Sequence, residues 1–338
     1  MTSLRASIVI RTLNEARHLP EALAAIAGGS LTQGCEVVVV DSGSTDGTLE
    51  IAAAAGCRVV QIRREEFSFG RSLNIGCDAA RGRVLVFVSG HCVPASAEWL
   101  EKLISPIESG AATITYGRQL GGPATRFSER QIFAKYFPAA PGARASGFFC
   151  NNANAAISAD AWRSRRFNEQ LTGLEDLELA KRVVEGGGVV QYVPSAAVFH
   201  HHDETWSQVT RRFEREALAL QTIMPEIHLG GLTALRYVVA ASVGDWRRAA
   251  AERVLLRNLW SIAAYRCCQY VGSWKGNHSH RQMSRELRER YFYPHVQPTS
   301  TDCAPATQGT QREGARQELP GLRGQTPREA HAGYAARD

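Results

Sequence analysis

No stretch of this chain reaches the roughly 18 consecutive apolar residues that a membrane-spanning helix needs, so the sequence does not read as an integral helical membrane protein. Eight cysteines are scattered as Cys35, Cys57, Cys77, Cys92, Cys150, Cys267, Cys268 and Cys303, and no two have the CxxC spacing of a zinc site. No amino-terminal signal segment precedes the strand residues that begin at Ser7, so free thiols in a reducing cytoplasm are the expected state. The glycine-rich phosphate cradles GxGxxG and GxxxxGK are also missing, which argues against a dinucleotide oxidoreductase or a P-loop enzyme. Charge of one sign is not concentrated: the net +6 is too diffuse for a nucleic-acid partner, though it suits an anionic substrate or an anionic membrane surface. With 44% apolar and 21% charged residues the chain is globular, and 338 residues favour one large domain with an appendage.

What is present begins with Val37-Val38-Val39-Val40-Asp41-Ser42-Gly43-Ser44-Thr45-Asp46-Gly47-Thr48. Four β-branched residues in a row predict a strand buried on both faces, the habit of parallel sheets. The strand stops at an acid and a run of turn residues, with Asp46 or Thr45 expected as the N-cap of the next helix. In open α/β sheets, ligands sit beyond the carboxyl ends of such strands, so Asp41 is a candidate ligand-facing acid. Upstream, Ser7-Ile8-Val9-Ile10 is a strand leading through Arg11-Thr12-Leu13-Asn14-Glu15 to a helix that Gly28-Gly29 ends; downstream come a helix Leu49–Ala55 and a strand Arg58–Ile62. This β-α-β-α-β rhythm predicts a doubly wound, mostly parallel sheet.

A further loop, Phe67-Ser68-Phe69-Gly70-Arg71-Ser72-Leu73-Asn74-Ile75-Gly76, runs into a helix. The strand Arg83–Val88 then ends in Ser89-Gly90-His91-Cys92-Val93-Pro94, a second strand end carrying a polar group. A helix is expected over Trp99–Ile107 and a strand over Ala112–Gly117. Residues Gly121 to Arg144 lack periodicity and read as a long functional loop, and Phe148–Ile157 as a strand edging a pocket. Glu175-Asp176 opens the next helix; acids there ordinarily compensate the helix dipole. A strand Val189–Val193 and the segment Ala197-Val198-Phe199-His200-His201-His202-Asp203 close the domain.

Taken together and in this order, Ile10–Glu15, Val40–Thr48, Gly70–Gly76, Phe87–Pro94, Gly173–Asp176 and Val198–His202 resemble the family 2 glycosyltransferases of the GT-A fold, in a subgroup near bacterial rhamnosyltransferase-like enzymes of surface polysaccharides. The resemblance covers about residues 5 to 205. It implies a GT-A sheet, mixed and mostly parallel, with flanking helices, and a nucleotide-diphosphate sugar as donor. It places Thr12, Asn14, Glu15, Asp41, Ser42, Gly43, Arg71, Asn74, Ser89 and Gly90 at the nucleotide sugar, Asp176 as the base that deprotonates the acceptor hydroxyl, and Glu175 as the residue that orients the site. The family's Asp-x-Asp cation motif is replaced here by Ser89-Gly90-His91. By the same resemblance His91, His200 and His202 become the candidate ligands of a divalent cation, Mn2+ or Mg2+, imidazole suiting Mg2+ poorly; the alternative is that His91 contacts the diphosphate directly as a cation or hydrogen-bond donor.

The remaining third reads as helices. Ser207–Leu220 has Val209, Phe213, Ala217 and Leu220 on one face, with Arg211, Arg212 and Arg215 off it; Ala234–Val243 and Val254–Val271 are further apolar stretches with Trp246, Trp260 and Trp274 near their ends. They form either a helical appendage or a platform on an anionic membrane surface. His278 and His280 are given no role. The expected division is a catalytic domain over 1–205, a helical region over 206–297 and a disordered tail over 298–338. The function implied is an inverting glycosyltransferase acting on a glycan or polyprenyl-linked acceptor in bacterial envelope or exopolysaccharide biosynthesis. Its expected setting is cytoplasmic, with a peripheral place on the inner face of the membrane as the extension. The alternatives are a non-catalytic nucleotide-sugar-binding protein of the same fold and a nucleotidyltransferase on a similar sheet.

Overall fold

The computed structural model describes residues 4–29, 34–140 and 147–279. Its strands are β1 (Leu4–Thr12), β2 (Cys35–Asp41), β3 (Arg58–Gln61), β4 (Gly82–Ser89), β5 (Cys92–Pro94), β6 (Ile114–Gly121), β7 (Asn154–Ser158) and β8 (Val190–His200). They form one sheet in the order β3-β2-β1-β4-β7-β6-β8-β5. The first four are mutually parallel, β7 runs antiparallel to both β4 and β6, and β6 is parallel to β8. This is the mixed, mostly parallel sheet expected.

Strand alternation builds two cores. Val9, Val38, Val40, Leu85 and Phe87 face one layer of helices; Ile8, Ile10, Val39, Val86 and Val88 face the other. Because both faces are covered, the valine run of β2 is apolar at every position. Register brings the carboxyl ends together: Thr12 pairs with Asp41 across β1–β2, and Arg11 with Ser89 across β1–β4. A bulge after Gly117 shifts β6 against β8, so that Gly121 meets His200 further on. A Cβ on Gly117 would lie 2.0 Å from the Ala196 carbonyl oxygen, so only glycine fits there. Asn154 pins the bulge by donating from Nδ2 to the carbonyls of Arg118 and Ala196.

Several expectations need correction. Residues 121–144 are not a plain loop, because α5 (Phe127–Tyr136) lies within them. It buries Ser128 and Glu129 alongside Phe127 and Phe133, so polar residues occupy inward positions and no apolar stripe marks the helix. The strand expected over Phe148–Ile157 is shorter and shifted, β7 running Asn154–Ser158, with Asn152 just before it. Helix α2 (Thr48–Ala54) has Gly47 at its N-cap, at φ 92°, while Asp46 accepts from the Thr48 N–H and hydroxyl. The other helices of the first 205 residues are α1 (Leu19–Ala27), α3 (Phe69–Ala79), α4 (Trp99–Glu108), α6 (Ala159–Arg165) and α7 (Glu175–Glu185).

Beyond the sheet come α8 (Trp206–Ile223), α9 (Gly231–Ala251) and α10 (Leu255–Asn277), the last two longer than expected. A capping box starts α8: the Thr205 hydroxyl accepts from Gln208 N–H while the Gln208 side chain accepts from Thr205 N–H. Arg212 does not lie on an outer face. It reaches inward to Glu129 of α5, Glu204 and the Tyr265 hydroxyl of α10. Arg215 likewise stands over the Phe69 ring, 4.4 Å from its centroid. No helix among the described residues is long and apolar enough to cross a membrane. The tail expected over 298–338, and His280, lie outside the described residues.

Candidate active site

A cleft with about 230 Å³ of internal space opens where β1, β2 and β4 end. Arg11, Thr12, Glu15, Ser42, Ser89 and His91 supply most of its polar wall, joined by Asn152 and by Arg215 from α8. The aromatic rings of Phe67, Phe69 and Phe87 complete it. This is the strand-end position where open α/β sheets take ligands.

The loops around the cleft are knitted by short polar side chains. Asp41 is 1% exposed; Oδ1 accepts from the N–H groups of Gly43 and Ser44, and Oδ2 from the hydroxyls of Thr12 and Ser44. Asp41 therefore shapes the loop in which Ser42 and Gly43 lie, Gly43 at φ 99°. Asn14, itself at φ 58°, accepts from the Thr45 N–H, and the Ser44 hydroxyl accepts from Asn14 N–H. Glu15 donates its N–H to Thr48, and its side chain fills the space against Gly90, where a Cβ would come within 3.1 Å of it.

Two expected residues fall elsewhere. Arg71 is exposed at the start of α3 and does not line the cleft. Asn74 is buried and fully engaged: Nδ2 donates to the Phe167 carbonyl and Glu169, and Oδ1 accepts from Trp162 and Phe167 N–H. It is a strut between α3 and the segment after α6.

Glu175 and Asp176 stand behind one wall. Glu175 accepts from Arg11 Nη1 at 3.1 Å, so the cleft's guanidinium and this acid form one unit. Asp176 accepts from Asn152 N–H and from its neighbour Leu177 N–H, each at 2.7 Å. Burial, then the charge of Glu175, raises the Asp176 carboxyl to about 7 against those two hydrogen bonds. A carboxylate poised there is suited to general-base work at neutral pH.

Three histidines meet beside the cleft. One nitrogen from each of His91, His200 and His202 lies within 4.8 Å of the others. Each ring is held through Nδ1: His91 by Glu15 at 2.8 Å, His200 by Gln119 at 2.7 Å, and His202 by Glu129 at 2.6 Å. These partners accept, which puts the proton on Nδ1 and leaves Nε2 to bind a ligand on all three rings. His200 Nε2 is buried with no hydrogen-bond partner among the described residues. Outer acceptors fixing the tautomer of each ring are the usual support of histidine metal sites, so the donor set fits a divalent cation. Burial, followed by His202 and His91, keeps His200 far below its ordinary value and thus neutral. Burial opposes ionisation of Glu129, but His202 and Arg212 hold it down at about 2. In His91, burial disfavours charge while the Glu15 carboxylate outweighs it and raises the group.

Arg11, Gln119, Glu129, Asn152 and Arg215 were not among the expected site residues. Arg11 adjoins the Thr12 motif and was open to notice; the other four carry no local signal, since their roles arise from strands and helices distant in sequence.

Comparison with known proteins agrees with this picture. A family model described as Glycosyl transferase family 2 matches residues 7–172. Glycosyltransferase AglE of Haloferax volcanii is 32% identical over 116 residues, 33% of this chain and 38% of that protein. O-antigen chain rhamnosyltransferase WbaN of Salmonella anatum is 24% identical over 194 residues, 54% of this chain and 61% of that one. The chain thus spans less than two thirds of either relative. Among solved structures, mannosyltransferase PcManGT from Pyrobaculum calidifontis, in complex with GDP-Man and Mn2+, superposes with a TM-score of 0.57 at 16% identity, over 88% of this chain and 89% of that one. That likeness is one of fold.

Proposed function

We propose, for a chain that belongs to glycosyl transferase family 2, that it transfers a sugar with inversion from a nucleotide-diphosphate donor to a hydroxyl of a glycan or lipid-linked acceptor in bacterial envelope or exopolysaccharide biosynthesis. The single observation that carries this reading is the strand-end cleft with Arg11, Arg215 and the three histidines at one side and the Asp176 carboxyl behind another.

The division of labour follows from chemistry. The loops shaped by Asp41 and Asn14 present Thr12, Ser42 and backbone groups to the base and ribose, with Glu15 between them and His91. Arg11 and Arg215 line the cleft as cations toward which an anionic diphosphate is drawn. His91, His200 and His202 would hold a divalent cation, whose chemistry is to neutralise charge on the diphosphate as it leaves. Asp176, with its raised pKa, accepts the acceptor's hydroxyl proton as that oxygen attacks the anomeric carbon. Glu175 keeps Arg11 aimed at the cleft.

In this reading the enzyme is a hexosyl- or deoxyhexosyltransferase of the cytoplasm, with 1–205 as catalytic domain, 206–297 as helical region and 298–338 as a tail. Thermal protection by a panel of nucleotide sugars, GDP-mannose and UDP- and dTDP-linked sugars among them, with and without Mn2+, tests it. At least one nucleotide sugar should raise the melting temperature, and transfer from that donor should give the opposite anomer by NMR. Protection by none of the panel, or a product of retained configuration, would overturn the reading.

A further inference from the structure

Helices α9 and α10 run antiparallel against each other. Gly231 lies by Trp274, the Tyr237 and Tyr270 rings are 5.6 Å apart, and Trp246 Nε1 donates to the Leu259 carbonyl at 3.1 Å. Their inner residues are accounted for: Ala241, Ala249, Ile262 and Tyr265 are buried, and Arg266 pairs with Asp245 inside. Their outer residues are not what a water-facing helix carries. Leu256, Trp260, Cys267, Val271 and Trp274 fall on one stripe of α10, spaced by three, four and seven residues, and all are exposed. Leu256 is 92% exposed and Trp260 83%. On α9, Leu232, Leu235 and Val239 repeat the pattern, with Leu232 82% exposed.

Charge tells what this face is for. The exposed charged residues of α9, α10 and their connection are Arg236, Arg247, Arg248, Arg253, Arg257 and Lys275 against Glu252: six cations and one acid. A water-soluble exterior mixes both signs, and a face for a second copy of itself would set Arg236, Arg247, Arg257 and Lys275 against the same four cations. An apolar stripe with exposed tryptophans, flanked by cations and unable to span a bilayer, matches the interface of an anionic lipid surface instead.

We infer that the outer face of the α9–α10 hairpin is a docking surface for an anionic membrane, with Trp260 and Leu256 entering the headgroup region and Arg236, Arg247, Arg257 and Lys275 meeting lipid phosphates. The inference extends the lipid-linked branch of the proposed acceptor, but it is read by lipid partition alone, so the two stand or fall separately. The helices' inner contacts carry consequence for the site. Tyr265 of α10 donates to Glu129 at 3.3 Å, and Glu129 also holds His202, so the docking element is built onto the support of the histidine cluster.

The test is co-sedimentation of the full chain with phosphatidylcholine vesicles, with and without phosphatidylglycerol, over a range of salt. Binding should require phosphatidylglycerol and weaken as salt rises. The double variant L256S/W260S should lower partitioning by at least ~10-fold, and R236E/R257E by a similar factor. Both should keep the wild-type melting temperature and thermal protection by nucleotide sugar, because none of the four residues touches the core or the cleft. Equal binding to both vesicle types, no binding to either, or wild-type partitioning of both variants would overturn the inference. So would a dimer in sedimentation velocity that L256S/W260S dissociates, which would assign the face to a second copy of the chain.

Discussion

Replacing Asp176 with asparagine keeps the size of the side chain and removes its charge. The structure makes the consequence for stability opposite in sign at the two ends of the pH scale. Asp176 is buried beside Glu175, and its pKa rises from 3.8 to about 7 in the folded protein. The folded state therefore holds this proton more tightly than the unfolded chain does. The wild type has its full stability below pH 3.8 and loses it as pH climbs to about 7, and a rise of that size in the pKa corresponds to a cost of roughly 4 kcal/mol. Asparagine escapes that cost. It presents an NH2 group to one of the two N–H donors that Asp176 accepts, however, from Asn152 or Leu177, and an unsatisfied buried donor costs about 1–3 kcal/mol. The variant should therefore be less stable than wild type near pH 4 and more stable by about 1–3 kcal/mol at pH 8. Helix-dipole compensation alone predicts the reverse at pH 8, a loss of about 0.3–1 kcal/mol. Melting curves across pH separate the two. In transfer assays at pH 8 the stabilised variant should be ~10²–10⁴-fold slower, with donor affinity unchanged, and wild-type kcat/KM should rise with unit slope up to about pH 7. Glu175→Gln should be milder, since it weakens one bond to Arg11. Turnover of Asp176→Asn within a few-fold of wild type would refute the base assignment, and a stability difference independent of pH would refute the raised carboxyl.

Other consequences follow from the same contacts. Asp41→Ala should abolish nucleotide-sugar protection, and because Asp41 holds Thr12, Gly43 and Ser44 it should also lower stability by about 1–3 kcal/mol in urea unfolding; unchanged donor affinity would remove this loop from the site. Glu129→Gln leaves His202 a neutral acceptor and takes the carboxylate from Arg212, so divalent-cation affinity measured by calorimetry should fall ~10–100-fold, the usual cost of losing an outer-shell partner. Deleting residues 298–338, whose composition is Thr, Gln, Gly, Pro, Arg and Glu with few apolar residues, should leave donor binding and transfer intact; a truncated enzyme that binds donor but transfers nothing would give the tail a role.

Much of the architecture was open to reading because it is written locally. The runs Ser7–Ile10, Val37–Val40 and Arg83–Val88 are apolar at consecutive positions, and such runs have few places to go except the middle of a parallel sheet. Register then brings Thr12, Asp41 and Ser89 together at the carboxyl ends of the strands, with Ser42 and His91 one and two residues past them. What stayed hidden depends on partners distant in sequence. Helix α5 turns Glu129 inward because Arg212 and His202 await it there, and no periodicity in 127–136 announces an inward acid. Arg212 and Arg215 sit off the apolar stripe of α8 and look solvent-facing until Glu204 and Phe69 are placed against them. Asn74 shares its motif with the exposed Arg71, yet its four hydrogen bonds go to the segment around Phe167.

Ser89-Gly90-His91 stands where the resemblance expects an acidic cation motif, and His91 meets His200 and His202 beside the strand-end cleft; equilibrium dialysis against Mn2+ tests most directly whether these three rings hold a cation. Wild-type protein should bind one ion per chain, more tightly when GDP or UDP is present, and His200→Ala should lose both the ion and the nucleotide's effect on it while melting as a folded protein. Equal Mn2+ binding by wild type and His200→Ala, or none by wild type with nucleotide present, would contradict it.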